Sequence, residues 1–255
     1  MARYFIIYIL LFTTLQANHY ERSAFILASG NLQFVFPQML KEFYKRYPDK
    51  SVHIEYGASG YLANSILDGK KYDIFFSANI SYAQKVYEAK KSIIKPVNYI
   101  QGLLILFVPK HISLEKTGIK ILNSNKIKHI TVANKINAPY GIATMEVLKK
   151  LSQNQTILKK IHYSSDVATA IDNVIWNGDA GFLSKSALYM IPNDRKKEGI
   201  DWIEIKQNLY KPIIQAYVVS KDAFKNQNAK VFLDFITSKD GIKIFQENGY
   251  KNISK

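Results

Sequence analysis

The chain has 255 residues, of which 47% are hydrophobic and 22% are charged, a composition typical of a globular protein that argues against disorder. It contains no cysteine, which excludes disulfides, thiolate metal sites, a cysteine nucleophile and a lipid-modified cysteine. The formal net charge of +15 comes from lysines scattered along the chain, without a long basic run, so it indicates attraction of anions rather than nucleic-acid binding.

The first segment of the chain is typical of a secretory signal. A basic start, Met-Ala-Arg, precedes an apolar run over residues 4–12, and the small residue Ala17 suits a cleavage site. The apolar run is shorter than the roughly 20 residues that span a bilayer, which argues against a membrane anchor. We therefore expect residues 1–17 to be a signal peptide and the protein to be freely soluble in the periplasm.

Strand and helix patterns alternate through the rest of the chain. Apolar strands are predicted at residues 25–28, 52–56, 74–76, 103–108, 129–133, 180–183 and 213–219. Helices are predicted through Leu40 and Tyr44 and at residues 61–67, 81–89, 141–151 and 167–176, with a closing helix pair over 228–248. This alternation predicts an α/β fold with largely parallel strands.

Two apolar strands, at 103–108 and 213–219, are the natural places for the chain to cross between lobes. No fixed-period repeat or low-complexity linker divides the sequence, so a single cut into two domains is not expected. The crossings predict a first lobe of residues 24–102 plus 216–255 and a second lobe of residues 103–215.

The tripeptide Ala-Ser-Gly occurs twice, around Ser29 and Ser59, each time between a predicted strand and a predicted helix. Ligands of open parallel sheets bind beyond the carboxyl ends of the strands, where helix starts offer unpaired N–H groups that suit an anion. Taken singly, each serine is more often an ordinary helix cap. Two matching copies at equivalent sheet positions favour a shared anion site.

Two more strand-to-helix junctions are predicted in the second half, at residues 137–141 and 164–167. Pro139 suits the first turn of a helix because it has no N–H to lose, and Ser165 or Asp166 can cap the next helix. If the two halves face each other, four helix starts converge on one cleft, and the site consists of neutral donors.

These residues resemble the periplasmic molybdate-binding proteins of ATP-driven importers over nearly all of the chain after the signal segment. The resemblance depends on FILAS at 25–29, YGASGYLA at 56–63, YDIFFSAN at 72–79, PYGIA at 139–143, the pair at 166–167 and the segment 232–250. It implies a two-lobed periplasmic-binding-protein clamshell of type II, in which each lobe is a mixed, mainly parallel sheet flanked by helices. It also implies a monomer that delivers its ligand to the membrane permease of an ABC importer.

The resemblance further implies the ligand and the residues that bind it. The ligand is molybdate or tungstate, held as an oxyanion with no direct bond from the protein to the metal and without a cofactor. The hydroxyls of Ser29 and Ser59 match the two serines of the family, and the backbone N–H groups of Tyr140 and Val167 match the donors of the other lobe.

One position departs from the family pattern. Relatives often carry a tyrosine after the late Gly-hydrophobic-hydrophobic strand, whereas Ser184 stands there in this chain. A serine has a shorter reach, so Ser184 is expected either to reach the anion through a water bridge or not to touch it, and Lys185 is an alternative source of charge.

Two alternatives stay open, a binding protein for another anion or for an organic solute, and an exported hydrolase. Sulfate and phosphate are the alternative oxyanions, and phosphate is favoured if Asp166 points into the cleft, because a protonated phosphate needs an acceptor. An exported serine hydrolase using Ser59 is disfavoured because the segment lacks the final glycine of a nucleophile elbow. The five histidines show no spacing or pairing typical of zinc, and Asp73 is expected to be structural, pairing with a surface lysine or holding the loop before its strand.

Overall fold

The computed structural model describes residues 22–151, 155–165 and 167–253. The predicted signal segment 1–17 and Asp166 lie outside the described residues. Within those ranges, no helix combines the length and the apolar character needed to cross a membrane.

The described ranges form strands and helices that alternate closely along the chain. The strands are β1 Ala24–Ser29, β2 Val52–Gly57, β3 Ile74–Ser77, β4 Val97–Gly102, β5 Leu104–Phe107, β6 Ile130–Ala133, β7 Ile161–Ser164, β8 Ala180–Ser184, β9 Trp202–Glu204, β10 Ile213–Val219 and β11 Tyr250–Lys251. The α-helices are α1 Phe36–Arg46, α2 Ser59–Leu67, α3 Ile80–Glu88, α4 Pro139–Leu151, α5 Gln155–Leu158, α6 Val167–Trp176, α7 Gln227–Thr237 and α8 Lys239–Glu247.

These strands build two separate sheets. The six-stranded sheet has the order β11-β4-β10-β3-β1-β2, and the five-stranded sheet has the order β7-β6-β8-β5-β9. Strands β2, β1 and β3 are parallel neighbours, as are β7, β6 and β8, while the remaining pairs are antiparallel. Two mixed sheets with flanking helices confirm the predicted α/β, two-lobed fold class.

The chain passes between the two sheets twice, once between β4 and β5 and once between β9 and β10. Strand β4 ends at Gly102 in the six-stranded sheet, and β5 begins at Leu104 in the five-stranded one. On the way back, β10 pairs with β4 from Ile213 onward, so its whole length belongs to the six-stranded sheet.

Four strands were missing from the predicted elements, namely β4, β7, β9 and β11. Strand β7 is the clearest case, because His162 and Tyr163 at its centre are both exposed and no alternation of apolar and polar residues marks it. Strands β9 and β11 have only three and two residues, which is too short for a period to be recognised. These short or exposed strands are defined by their hydrogen bonds to a neighbouring strand, which no local pattern specifies.

Asp73 anchors the start of the first strand, so its predicted structural role is confirmed. Its buried Oδ2 accepts hydrogen bonds from Arg22 Nη1 at 2.7 Å, from the Phe25 amide at 2.8 Å and from Asn226 Nδ2 at 3.0 Å. The expected lysine partner is replaced by Arg22, a residue far away in the sequence, and this ion pair raises the pKa of the guanidinium.

Candidate functional site

Ser29 and Ser59 lie side by side at the carboxyl edge of the six-stranded sheet. Ser29 is the last residue of β1 and pairs with Gly57, the last residue of the parallel strand β2, while Ser59 is the first residue of α2. Both side chains are buried, and Ser59 Oγ donates a hydrogen bond to Ser29 Oγ at 3.0 Å. Two strand ends that lie far apart in the sequence therefore present a pair of adjacent hydroxyls.

Neither serine side chain caps a helix. Ser29 precedes the 3-10 helix Gly30–Phe34 and Ala58 precedes α2, and no side-chain cap bond is made at either start. Ser59 Oγ instead accepts a hydrogen bond from the Ala78 amide at 3.0 Å. Sequence reasoning missed Ala78, although the segment 72–79 contributed to the family resemblance, because nothing local marks one backbone amide as a partner of a distant serine.

Tyr140 and Val167 lie at the corresponding edge of the five-stranded sheet. Helix α4 begins at Pro139, two residues before the predicted start but with Pro139 in its first turn as expected, and α6 begins at Val167. The strands before them, β6 and β7, are parallel and end together, with Ala133 paired to Ser164. The first N–H groups of an α-helix have no partner within the helix, so both starts can offer amide donors.

The two sheet edges are in direct contact. The Gly60 amide donates to the Asn137 carbonyl at 3.0 Å, and the Tyr82 hydroxyl donates to the Ile136 carbonyl at 2.7 Å. The 3-10 helix Gly30–Phe34 also packs against α6. A side chain at Gly60 would lie 2.9 Å from the Tyr82 ring, so the approach of α2 to the loop before α4 requires glycine.

Ser184 is buried at the end of β8 and belongs to a hydrogen-bonded network between the two sheets. The single hydroxyl proton of Ser186 is shared between Ser184 Oγ at 3.0 Å and the Asn31 carbonyl at 3.3 Å. Asn31 Nδ2 donates to the Tyr250 hydroxyl at 2.8 Å, and that hydroxyl donates to the Asn31 carbonyl at 3.0 Å. Through Ser186, Ser184 is thus linked to the helix that follows Ser29.

Lys185 points away from this network. Its Nζ pairs with Glu204 Oε2 at 2.7 Å and lies 5.4 Å from the centre of the Trp202 ring. Lys185 is therefore engaged by an acidic and an aromatic partner, and its role as a source of charge for the anion stays a prediction.

The Tyr140 phenol occupies the point where the chain crosses between the sheets. Gln215 Nε2 donates to its oxygen at 3.4 Å, and Gln215 Oε1 accepts from the Tyr99 hydroxyl at 3.2 Å. A side chain at Gly102 would overlap the Tyr140 hydroxyl. Burial raises the pKa of the Tyr140 phenol well above its ordinary value, so it stays neutral at physiological pH.

The chemistry available at these junctions is hydrogen-bond donation by neutral groups. Two serine hydroxyls lie on one side and helix-start amides on the other, and neither group changes its charge near neutral pH. Such a site can hold an anion by hydrogen bonds and helix dipoles without a buried cation.

Two sheets that carry helix starts to a shared cleft, with the chain crossing twice between them, define a two-lobed solute-binding protein. The chain belongs to the bacterial extracellular solute-binding proteins, a family that it matches over residues 25–251.

Among its relatives, the molybdate-binding protein ModA of Rhodobacter capsulatus is 27% identical over 220 residues, which cover 84% of each chain. The molybdate-binding protein ModA of Azotobacter vinelandii is 26% identical over 197 residues, covering 76% of this chain and 77% of the relative. The solved structure of the periplasmic molybdate-binding protein of A. vinelandii superposes with a TM-score of 0.80 at 25% identity, covering 91% of this chain and 100% of that one. The resemblance found in the sequence is confirmed by these relatives.

Proposed function

We propose that this protein binds molybdate or tungstate in the cleft and performs no chemistry on it. The observation that carries the proposal is the pair of buried hydroxyls, Ser29 and Ser59, 3.0 Å apart at the ends of parallel strands and not used as helix caps. The similarity to two molybdate-binding proteins supports molybdate, with the chemically similar tungstate, as the oxyanion.

Binding would change the hydrogen-bond acceptor of the Ser59 hydroxyl from Ser29 to the anion. In the structure the Ser59 hydroxyl donates a hydrogen bond to Ser29 Oγ, and the Ala78 amide donates one to Ser59 Oγ. An oxyanion beside both serines would accept a hydrogen bond from each hydroxyl, and the hydrogen bond from the Ala78 amide would keep Ser59 in position. The amides of Tyr140 and Val167 would donate from the other sheet.

An anion that bridges both sides stabilises the arrangement in which the lobes touch, because it binds that state better than an open one. Residues 24–102 with 216–255 would form the first lobe and residues 103–215 the second, with the contacts from Gly60 to Asn137 and from Tyr82 to Ile136 closing the cleft. The membership of β4 and β5 in different sheets supports the boundary at 102/103, whereas β10 pairs within the six-stranded sheet from Ile213, three residues before the proposed second boundary.

Selectivity would come from size and from the donor groups at the described part of the junctions, with Asp166, the nearby carboxylate, outside the described residues. A donor-only site disfavours a protonated phosphate, whose O–H requires an acceptor, and a cavity shaped for the larger molybdate holds sulfate loosely. Ser184, tied to Ser186, would act as an indirect contributor that positions the helix after Ser29 rather than as a strong ligand.

The alternative of a serine hydrolase has little support from the surroundings of Ser59. In the described part of the chain, the hydrogen-bond partners of Ser59 Oγ are a serine hydroxyl and a backbone amide, and neither can act as a general base. We therefore propose a purely binding role.

Export and delivery complete the proposal. The family is extracellular in bacteria, and we propose that residues 1–17 direct export to the periplasm, where the loaded monomer meets the permease of an ABC importer. The mass of the exported protein should correspond to a chain that begins at Asn18.

Isothermal titration with molybdate, tungstate, sulfate and phosphate tests the ligand. The expected result is one tightly bound molybdate or tungstate per chain, with much weaker binding of sulfate and phosphate. Binding of sulfate or phosphate alone, or of none of the four anions, would overturn the proposal.

A further inference from the structure

Two exposed histidines and a buried aspartate meet at the opposite end of the five-stranded sheet. One side-chain ligand atom from each of His129, His162 and Asp179 lies within 4.8 Å of the others. His129 Nδ1 is 3.4 Å from Asp179 Oδ1, and the two imidazole rings are stacked with centroids 4.3 Å apart. We propose that this cluster is a binding site for a divalent transition-metal ion of the zinc type.

The sheet explains why these residues meet. Strands β7, β6 and β8 are parallel neighbours, and Ile130 of β6 pairs with Ile161 on one side and with Ala180 on the other. His129 and Asp179 immediately precede their strands, and His162 is the second residue of β7. All three therefore lie at the amino ends of the strands, whereas the candidate anion site lies at the carboxyl ends.

The distances suit a small ion. Zinc binds imidazole nitrogen at about 2.0–2.1 Å and carboxylate oxygen at about 2.0–2.2 Å, so ligand atoms of a tetrahedral site are about 3.3 Å apart. His129 Nδ1 and Asp179 Oδ1 already have this separation. His162 is exposed, so a side-chain rotation that opens the ring stack brings its nitrogen into place.

The carboxylate is positioned in advance. Asp179 is buried, and its Oδ2 accepts a hydrogen bond from the buried hydroxyl of Thr131 at 2.8 Å. This bond leaves Oδ1 directed at His129. An outer hydrogen bond that orients a carboxylate ligand is typical of metal sites, and its loss generally weakens binding about 10- to 100-fold.

The donor atoms determine the class of ion. Two imidazole nitrogens with one carboxylate suit zinc and its neighbours, whereas magnesium and calcium require mainly oxygen ligands. Three protein ligands leave the fourth position on the exposed side open to water. The bound ion would connect the amino ends of three adjacent strands.

Zinc titration of purified, tag-free protein by calorimetry tests the site, with cobalt as a spectroscopic substitute. We expect one zinc per chain, no heat with magnesium, and visible cobalt bands typical of a tetrahedral site. His162→Gln should weaken zinc binding at least about tenfold and abolish the cobalt bands. Thr131→Val, which removes the hydrogen bond that orients Asp179, should weaken zinc binding about 10- to 100-fold.

The matched control is His53→Gln, which removes another exposed strand histidine on the other sheet and should leave zinc binding unchanged. Molybdate titration of His162→Gln should match wild type, so failure of the metal site and failure of the proposed function are distinguishable. No zinc binding by wild type, or equal zinc affinity of wild type and His162→Gln, would overturn the metal site.

Discussion

Replacing Ser59 by alanine should weaken molybdate binding and also destabilise the ligand-free protein, and the two effects can be estimated separately. Without ligand, the change removes the bond to Ser29 and leaves the buried Ala78 amide without its acceptor. An unpaired buried donor costs about 1–3 kcal/mol. The free energy of unfolding should fall by that amount.

The effect on binding follows from the proton that Ser59 redirects. A hydrogen bond to a charged group contributes about 1.5–3 kcal/mol, but wild type must first break the neutral bond between Ser59 and Ser29, which contributes about 0.5–1.5 kcal/mol. The net loss in Ser59→Ala is therefore about 1–2 kcal/mol, which raises the Kd for molybdate roughly 5- to 30-fold. Isothermal titration measures this change, and urea unfolding without ligand measures the stability.

Ser92→Ala is the matched control. Ser92 is also a buried serine, and its hydroxyl contacts the carbonyls of Ile94 at 2.8 Å and Val219 at 2.9 Å, away from the two sheet edges that meet. It should lose comparable stability and keep the wild-type Kd for molybdate. Wild-type affinity in Ser59→Ala, or an equal loss of affinity in Ser92→Ala, would refute the role assigned to the Ser59 hydroxyl.

Three further predictions concern the interior that supports the cleft. Gly102→Ala should lower the free energy of unfolding by about 1–3 kcal/mol, because the new methyl group overlaps the Tyr140 hydroxyl, and should weaken molybdate binding. The double variant Gly102→Ala with Tyr140→Phe should recover part of the stability, measured by urea unfolding, and part of the affinity, measured by titration. Asp73→Ala should lower the free energy of unfolding by about 2–5 kcal/mol, because the Phe25 amide and a buried side-chain amide lose their acceptor, while the Kd for molybdate stays at the wild-type value. Burial raises the pKa of Tyr99 and Tyr140, so these phenols stay protonated in the folded protein, whereas tyrosines of the unfolded chain ionise near pH 10. The free energy of unfolding should therefore stay constant up to about pH 10 and fall above it. A free energy of unfolding that is unchanged up to about pH 11 would contradict this prediction.

The order of the main strands and helices could be predicted because it depends on local patterns. Strand β10 was predicted at its observed bounds, and α6 likewise, since each is a run of apolar residues with the period of its own element. The two Ala-Ser-Gly tripeptides were recognisable for the same reason, because a strand end, a serine and a glycine are neighbours in the chain.

Partners that are distant in the sequence could be assigned only from the tertiary structure. Nothing near Ser59 indicates that the Ala78 amide holds its oxygen, or that the hydroxyl is spared from capping. Strand β7 has no recognisable alternation of buried and exposed residues, so it was not predicted. The contact between His129 and His162 could therefore not be predicted either.

The sequence by itself thus determined the kind of fold and the junctions at which an anion could bind, because both follow from short-range periodicity and from the residues that end strands and start helices. The tertiary structure decided what each side chain at those junctions does. It placed the Tyr140 phenol against Gly102, directed Lys185 to Glu204 and tied Ser184 to Ser186. These outcomes depend on how the two sheets pack, which no local pattern specifies.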